Sequence, residues 1–122
     1  MIDLSDGLGS DAHHLSVQSG VGICIDSTAL PVAEGVAAVA AAAGLDPLEL
    51  AASGGEDYEL LAALPAQRLD AASAAIDGTG EATLTRIGEV LAGAGVAVRL
   101  PAGGLWGAGG FDQLRHRRGA LP

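Results

Sequence analysis

The chain has no lysine, a single cysteine (Cys24) and only three aromatic residues, Tyr58, Trp106 and Phe111, among 122 residues. Each shortage excludes something. Without lysine there is no Gly-Lys-Ser/Thr phosphate loop, so a bound phosphate would have to be met by metal, arginine or backbone N–H groups. Positive charge is scarce as well: six arginines face 15 acidic residues, for a net charge of −9. That balance argues against nucleic acid, whose binding draws on clustered Lys and Arg. Arg115, Arg117 and Arg118 lie beside His116 at the end of the sequence and read as a solvated tail. One cysteine rules out an internal disulfide framework and fits a reducing compartment. Cys24 stands in the strand-like run Val21 to Ile25, where it reads as a small core hydrophobe.

Long apolar runs are missing too. The longest, Val36 to Leu45, is alanine-rich and falls well short of the roughly 20 residues that span a bilayer. No basic start followed by an apolar segment precedes the first aspartate. The expectation is a cytoplasmic chain without membrane or nucleic-acid partners. With so few aromatics, a core must be built from Ala, Val, Leu and Ile, and such a core packs only if its elements approach closely. The 19 glycines suit that requirement.

Several elements can be expected from the sequence. Ser5 or Asp6 is placed to cap a helix carrying Leu8, Ala12 and Leu15, which Gly20 would end in a left-handed cap. Val21 to Asp26 reads as a buried strand. Val32 to Ala43 reads as a helix ended by Gly44, and Asp46-Pro47 as the start of a shorter one running to about Ala52. Tyr58 to Leu64 reads as a strand and Ala66 to Ile76 as a helix. Thr83 to Leu91 and Val96 to Leu100 read as strands, and Gly103 to Gly110 as a loop. This irregular alternation fits a mixed sheet covered by helices, within one domain spanning residues 1–122, better than a doubly wound parallel sheet.

Three constellations could carry chemistry. Asp3, Ser5 and Asp6 precede a helix N-terminus, where carboxylates could hold Mg²⁺ and backbone N–H groups could meet a phosphate. The plainer alternative is that Ser5 and Asp6 cap the helix while Asp3 is a solvated loop acid. An EF-hand is excluded because Gly7 and Gly9 stand where oxygen ligands are needed. The second constellation is Ser53-Gly54-Gly55-Glu56-Asp57-Tyr58-Glu59-Leu60-Leu61, a glycine turn followed by acids at a strand start. At least one of Glu56 and Glu59 must face solvent or a cation. The third is Gly107-Ala108-Gly109-Gly110-Phe111-Asp112, in which Phe111 could equally be a structural anchor. His13 and His14 are adjacent and project differently from a helix, so they do not readily chelate together.

In order and spacing, Met1-Ile2-Asp3-Leu4-Ser5-Asp6-Gly7-Leu8, Ser53 to Leu61, Ile87-Gly88-Glu89-Val90 and Gly110-Phe111-Asp112 together resemble the thiamine-monophosphate kinase family. What they match is its C-terminal half, the domain shared with aminoimidazole-ribonucleotide synthetase and its relatives. The resemblance implies an α+β fold, a mixed β-sheet with helices packed on it in α/β/α layers, partly ferredoxin-like. It also implies ATP-dependent phosphorylation of thiamine monophosphate to thiamine diphosphate with Mg²⁺. Asp3 and Asp6 would then be Mg²⁺ ligands, Ser5 would contact ATP, and Glu56 and Phe111 would touch the thiamine moiety. No residue is given a covalent or acid–base role. Ala62-Ala63 and Gln113-Leu114 depart from the family's usual residues, which bears on local packing and on the edge of the thiamine pocket.

The family's N-terminal half, with further metal-binding aspartates, nucleotide contacts and a homodimer interface, is not in this sequence. The 122 residues alone are therefore expected to be inactive and, with surfaces meant for that half exposed, to self-associate. The competing expectation is a non-catalytic ligand-binding or assembly domain of the same fold, or the C-terminal domain of another aminoimidazole-ribonucleotide synthetase relative.

Overall fold

The computed structural model describes residues 1–32, 35–45, 47, 59–101 and 103–106. The elements are β1 (Ile2–Asp3), α1 (Leu8–Ser19), β2 (Gly22–Asp26), α2 (Val36–Ala43), β3 (Leu60–Leu61), α3 (Leu69–Asp77), β4 (Gly88–Leu91), β5 (Gly95–Arg99) and β6 (Leu105–Trp106). Single 3₁₀ turns at Ser27–Ala29 and Ala66–Arg68 follow β2 and precede α3. Four strands form one sheet in the order β4-β2-β5-β6, and β1 pairs with β3 in a separate two-stranded ladder. Within the larger sheet β2 and β5 run parallel, while β4 and β6 lie antiparallel to their neighbours. The fold is therefore α+β with a mixed sheet.

Strand alternation explains where the core sits. Ile23 and Ile25 on β2 and Val96 and Val98 on β5 turn to one face of the sheet, where they meet Leu8 and Ala12 of α1 together with Leu4. Ile25 is only 2% exposed. The opposite face carries Cys24, which is buried, and Arg99, whose guanidinium lies 3.7 Å from the Cys24 sulfur and 3.5 Å from a Glu89 carboxylate oxygen. Gly20 ends α1 with φ 65°, its N–H donating to the Ser16 carbonyl. The buried Ser16 hydroxyl then donates to the Val21 carbonyl at 2.6 Å and accepts from the Gly95 N–H at 3.1 Å, tying α1 to the entries of both central strands.

One glycine in the sheet is required by close approach. A Cβ at Gly88 would collide with the backbone carbonyl of Cys24 on the neighbouring strand. Just before it, the Ile87 carbonyl accepts from the Asp26 N–H at 2.7 Å. This contact gives the Ile87-Gly88-Glu89-Val90 landmark a structural reason.

Several expected boundaries are corrected. Ser5 and Asp6 do not cap α1; the N-cap is Gly7, with φ 112° and no side chain to offer. The strand expected over Thr83 to Leu91 pairs only from Gly88; of that expected over Tyr58 to Leu64, Tyr58 lies outside the described residues and the described part forms a strand at Leu60–Leu61, opposite the two residues of β1. Gly35 in a left-handed conformation (φ 92°) precedes α2, so the helix starts at Val36 rather than Val32. The first turn of the helix expected from Ala66 is 3₁₀. Within the expected Gly103 to Gly110 loop, Leu105–Trp106 pairs with Val98–Arg99. Beyond Pro47, the helix expected to run to Ala52 lies outside the described residues.

At the end of β2 the Asp26 carboxylate accepts from the Thr28 hydroxyl at 2.7 Å and the Thr28 N–H at 3.0 Å. These two hydrogen bonds, the hydroxyl's first, hold the Asp26 carboxyl below its ordinary value. No helix among the described residues is long and apolar enough to cross a membrane.

Candidate functional site

The first constellation and the end of the second, Glu59 to Leu61, meet in the small ladder. β1 pairs antiparallel with β3, Ile2 opposite Leu61 and Asp3 opposite Leu60, and the Leu4 N–H donates to the Glu59 carbonyl at 2.9 Å. Alternation then sorts the side chains. Leu4 turns inward and is 8% exposed, whereas Asp3 turns outward and is exposed. Glu59 is exposed as well, which meets the requirement that one of the two glutamates face solvent. Glu56 and Phe111 lie outside the described residues. The strand that follows Glu56 is thus laid directly against the loop carrying Asp3, Ser5 and Asp6.

That loop is exposed at Ser5 and Asp6 and then dives at Gly7 into α1. Its positive φ is a conformation that side-chain-bearing residues adopt only with strain. Neither the Asp3 nor the Asp6 carboxylate is engaged by a hydrogen bond or ion pair with another described residue. The loop's restraint comes from a residue that the motif reading passed over, Asp11. Its side chain is among the most completely buried of the described residues, at 2% exposure, and Oδ2 accepts from the Ser5 N–H at 2.9 Å and the Asp6 N–H at 3.1 Å. The sequence did carry a signal for it. Leu8, Asp11, Ala12 and Leu15 form an i, i+3, i+4, i+7 stripe, so a charge stands on the apolar face of an amphipathic helix.

The donor set suits Mg²⁺. This ion takes oxygen ligands, usually one or two carboxylates, and completes its shell with water and substrate phosphates. Asp3 and Asp6 are two exposed oxygen donors of that kind on one short loop. Ligand atoms of Asp6, Asp11 and His14 also come within 4.8 Å of one another. An imidazole and a carboxylate already holding two amides fit a hard cation less well than Asp3 and Asp6 do.

With this geometry in view, similarity to known proteins is decisive. Residues 1–101 match the family described as AIR synthase related protein, C-terminal domain. The chain belongs to that family. It is 45% identical over 94 residues to a thiamine-monophosphate kinase of Halobacterium salinarum, covering 77% of this chain and 30% of the relative. A Methanopyrus kandleri thiamine-monophosphate kinase is 42% identical over 96 residues, covering 79% of this chain and 28% of the relative. Among solved structures, thiamine-monophosphate kinase from Stenotrophomonas maltophilia superposes with TM-score 0.71 at 33% identity, over 80% of this chain and 30% of that one. AaThiL complexed with AMPPCP and TMP superposes with TM-score 0.68 at 37% identity, over 89% and 31%. The chain spans less than a third of the length of these relatives.

Proposed function

We propose that these residues form one wall of the phosphoryl-transfer site of a thiamine-monophosphate kinase, which makes thiamine diphosphate from ATP and thiamine monophosphate in the cytoplasm. The observation that carries this reading is the β1–β3 pairing, which sets Asp3 opposite Leu60, at the end of the sequence motif that runs from Ser53 to Leu61. A site for joining two phosphate-bearing molecules needs a cation-holding loop next to a substrate-holding one. The complex of a relative with AMPPCP and TMP supports the same pair of ligands.

Asp3 and Asp6 would hold Mg²⁺, which when bound neutralises phosphate charge and aligns the reacting oxygens. The Ser5 hydroxyl is exposed between them and free to donate to the nucleotide. Glu56 suits the cationic or aminopyrimidine part of thiamine, and the Phe111 ring suits a flat heterocycle. Two carboxylates are too few to offset the charge of ATP and a second phosphate. The other metal and nucleotide contacts, and the homodimer interface, belong in this reading to sequence that the relatives have beyond the matched third. The exposed apolar residues Leu60, Val90 and Leu91 offer that portion a surface to pack on.

The test is ATP-dependent formation of thiamine diphosphate by the 122-residue chain and by the longer polypeptide encoded with its upstream sequence. The expected result is no turnover by the chain alone and turnover by the longer protein, with weaker binding of thiamine monophosphate in its Glu56→Ala variant. Turnover by the isolated chain would refute the need for a second wall. A longer protein that binds thiamine monophosphate but makes no thiamine diphosphate would favour the binding-domain alternative.

A further inference from the structure

We infer that Asp11 is a positioning residue that holds the Asp3-Ser5-Asp6 loop in its metal-binding and nucleotide-binding shape. The inference rests on the reading of that loop given above. A carboxylate buried to 2% exposure is costly unless its oxygens are satisfied, and here Oδ2 accepts from the amides of the two residues that carry the loop's chemistry. Its place near the start of α1 lets the helix dipole offset part of the charge. Leu8 and Ala12 beside it are buried in the core, and Ser16, further along α1, is hydrogen bonded to the Val21 carbonyl just before β2 and to the Gly95 N–H that opens β5. The helix is therefore fixed to the sheet, and Asp11 passes that fixed position on to an otherwise exposed loop. Its role is distinct from ligation, because the oxygen that faces the loop is already shared by two N–H groups. Groups that orient the ligands of a metal commonly matter about 10–100-fold for affinity or activity.

The test compares Asp11→Asn, which keeps an acceptor oxygen and the side-chain volume, with Asp11→Ala, which removes the acceptor. In the 122-residue chain, amide hydrogen exchange at Ser5 and Asp6 should accelerate more than about tenfold in Asp11→Ala and stay within about threefold of wild type in Asp11→Asn. The amides of Ile25 and Val98 report whether the sheet remains folded. If the alanine variant does not fold, Asp11→Ser carries the same comparison, its hydroxyl being too short to reach both amides. In the longer polypeptide, the Mg²⁺ concentration for half-maximal kinase activity should rise about 10–100-fold in Asp11→Ala and return close to wild type in Asp11→Asn.

Unchanged exchange at Ser5 and Asp6 in Asp11→Ala overturns the inference and leaves the kinase reading standing. An asparagine variant as Mg²⁺-deficient as the alanine one, with its loop amides still protected, also overturns it, because Asp11 would then be a ligand. A longer wild-type protein without kinase activity refutes the functional reading instead, and the exchange data still decide whether Asp11 holds the loop.

Discussion

The four-stranded sheet and the short ladder at the start of the chain are built on different principles. The sheet is held by buried Ile25, Val96 and Val98 against α1, by a full parallel register between β2 and β5, and by a glycine where β4 comes close to β2. The ladder has two residues on each side, and beyond it the loop is exposed at Ser5 and Asp6 and restrained through two hydrogen bonds to one carboxylate. The comparison teaches where stability and chemistry reside. Apolar burial sets the first, and in the proposed function a few polar contacts aim the second. A damaged sheet should cost folding, whereas a damaged loop should cost function with folding intact.

The largest effect on the sheet is expected from Ile25→Ala. It leaves a cavity at the centre of the cluster and should lower unfolding free energy by about 3–4 kcal/mol in urea titration. A loss below about 1 kcal/mol would mean that the core lies elsewhere. Gly88→Ala should follow at about 2–3 kcal/mol, because the added carbon meets backbone rather than a side chain that can move aside. Its clearest signature would be lost amide protection along β4, with α1 still protected.

The smallest effect concerns Asp26. Its folded-state pKa is lowered by the Thr28 hydroxyl and amide, so the associated stability is present above the ordinary carboxylate range and is lost as pH falls through the folded value. Thr28→Val removes the hydroxyl and should flatten that acid limb by lowering stability slightly at pH 7, with little change in acid, where the carboxyl is protonated. Because the group is solvent-exposed, a large change at neutral pH would contradict this description.

The sheet was far more legible in the sequence than the ladder. β2 and β5 are short β-branched runs bounded by turn residues, and the glycine ending α1 sits at the expected position. Local pattern is enough for such elements. A two-residue strand has no period to detect, and the pairing of Ile2–Asp3 with Leu60–Leu61 depends on contacts between segments far apart in the chain. Asp11 escaped notice for a different reason. Ser5 and Asp6 are good capping residues by type, yet Gly7 is the N-cap and the acid on the helix's apolar face binds the loop from behind. Resemblance supplied the order of the motifs, while the placement of Asp3 opposite Leu60 comes only with the fold.

The most direct measurement is made on the longer polypeptide carrying Asp3→Asn together with Asp6→Asn, assayed for thiamine diphosphate formation and for thermal unfolding side by side. Both carboxylates are exposed and unpartnered among the described residues, so the unfolding midpoint should move by no more than about 2 °C. Activity should fall by at least about 100-fold, because the charge that, in the proposed function, would hold Mg²⁺ on this wall is gone. Activity within about threefold of wild type, with the protein folded, would contradict the assignment of this loop to the phosphoryl-transfer site.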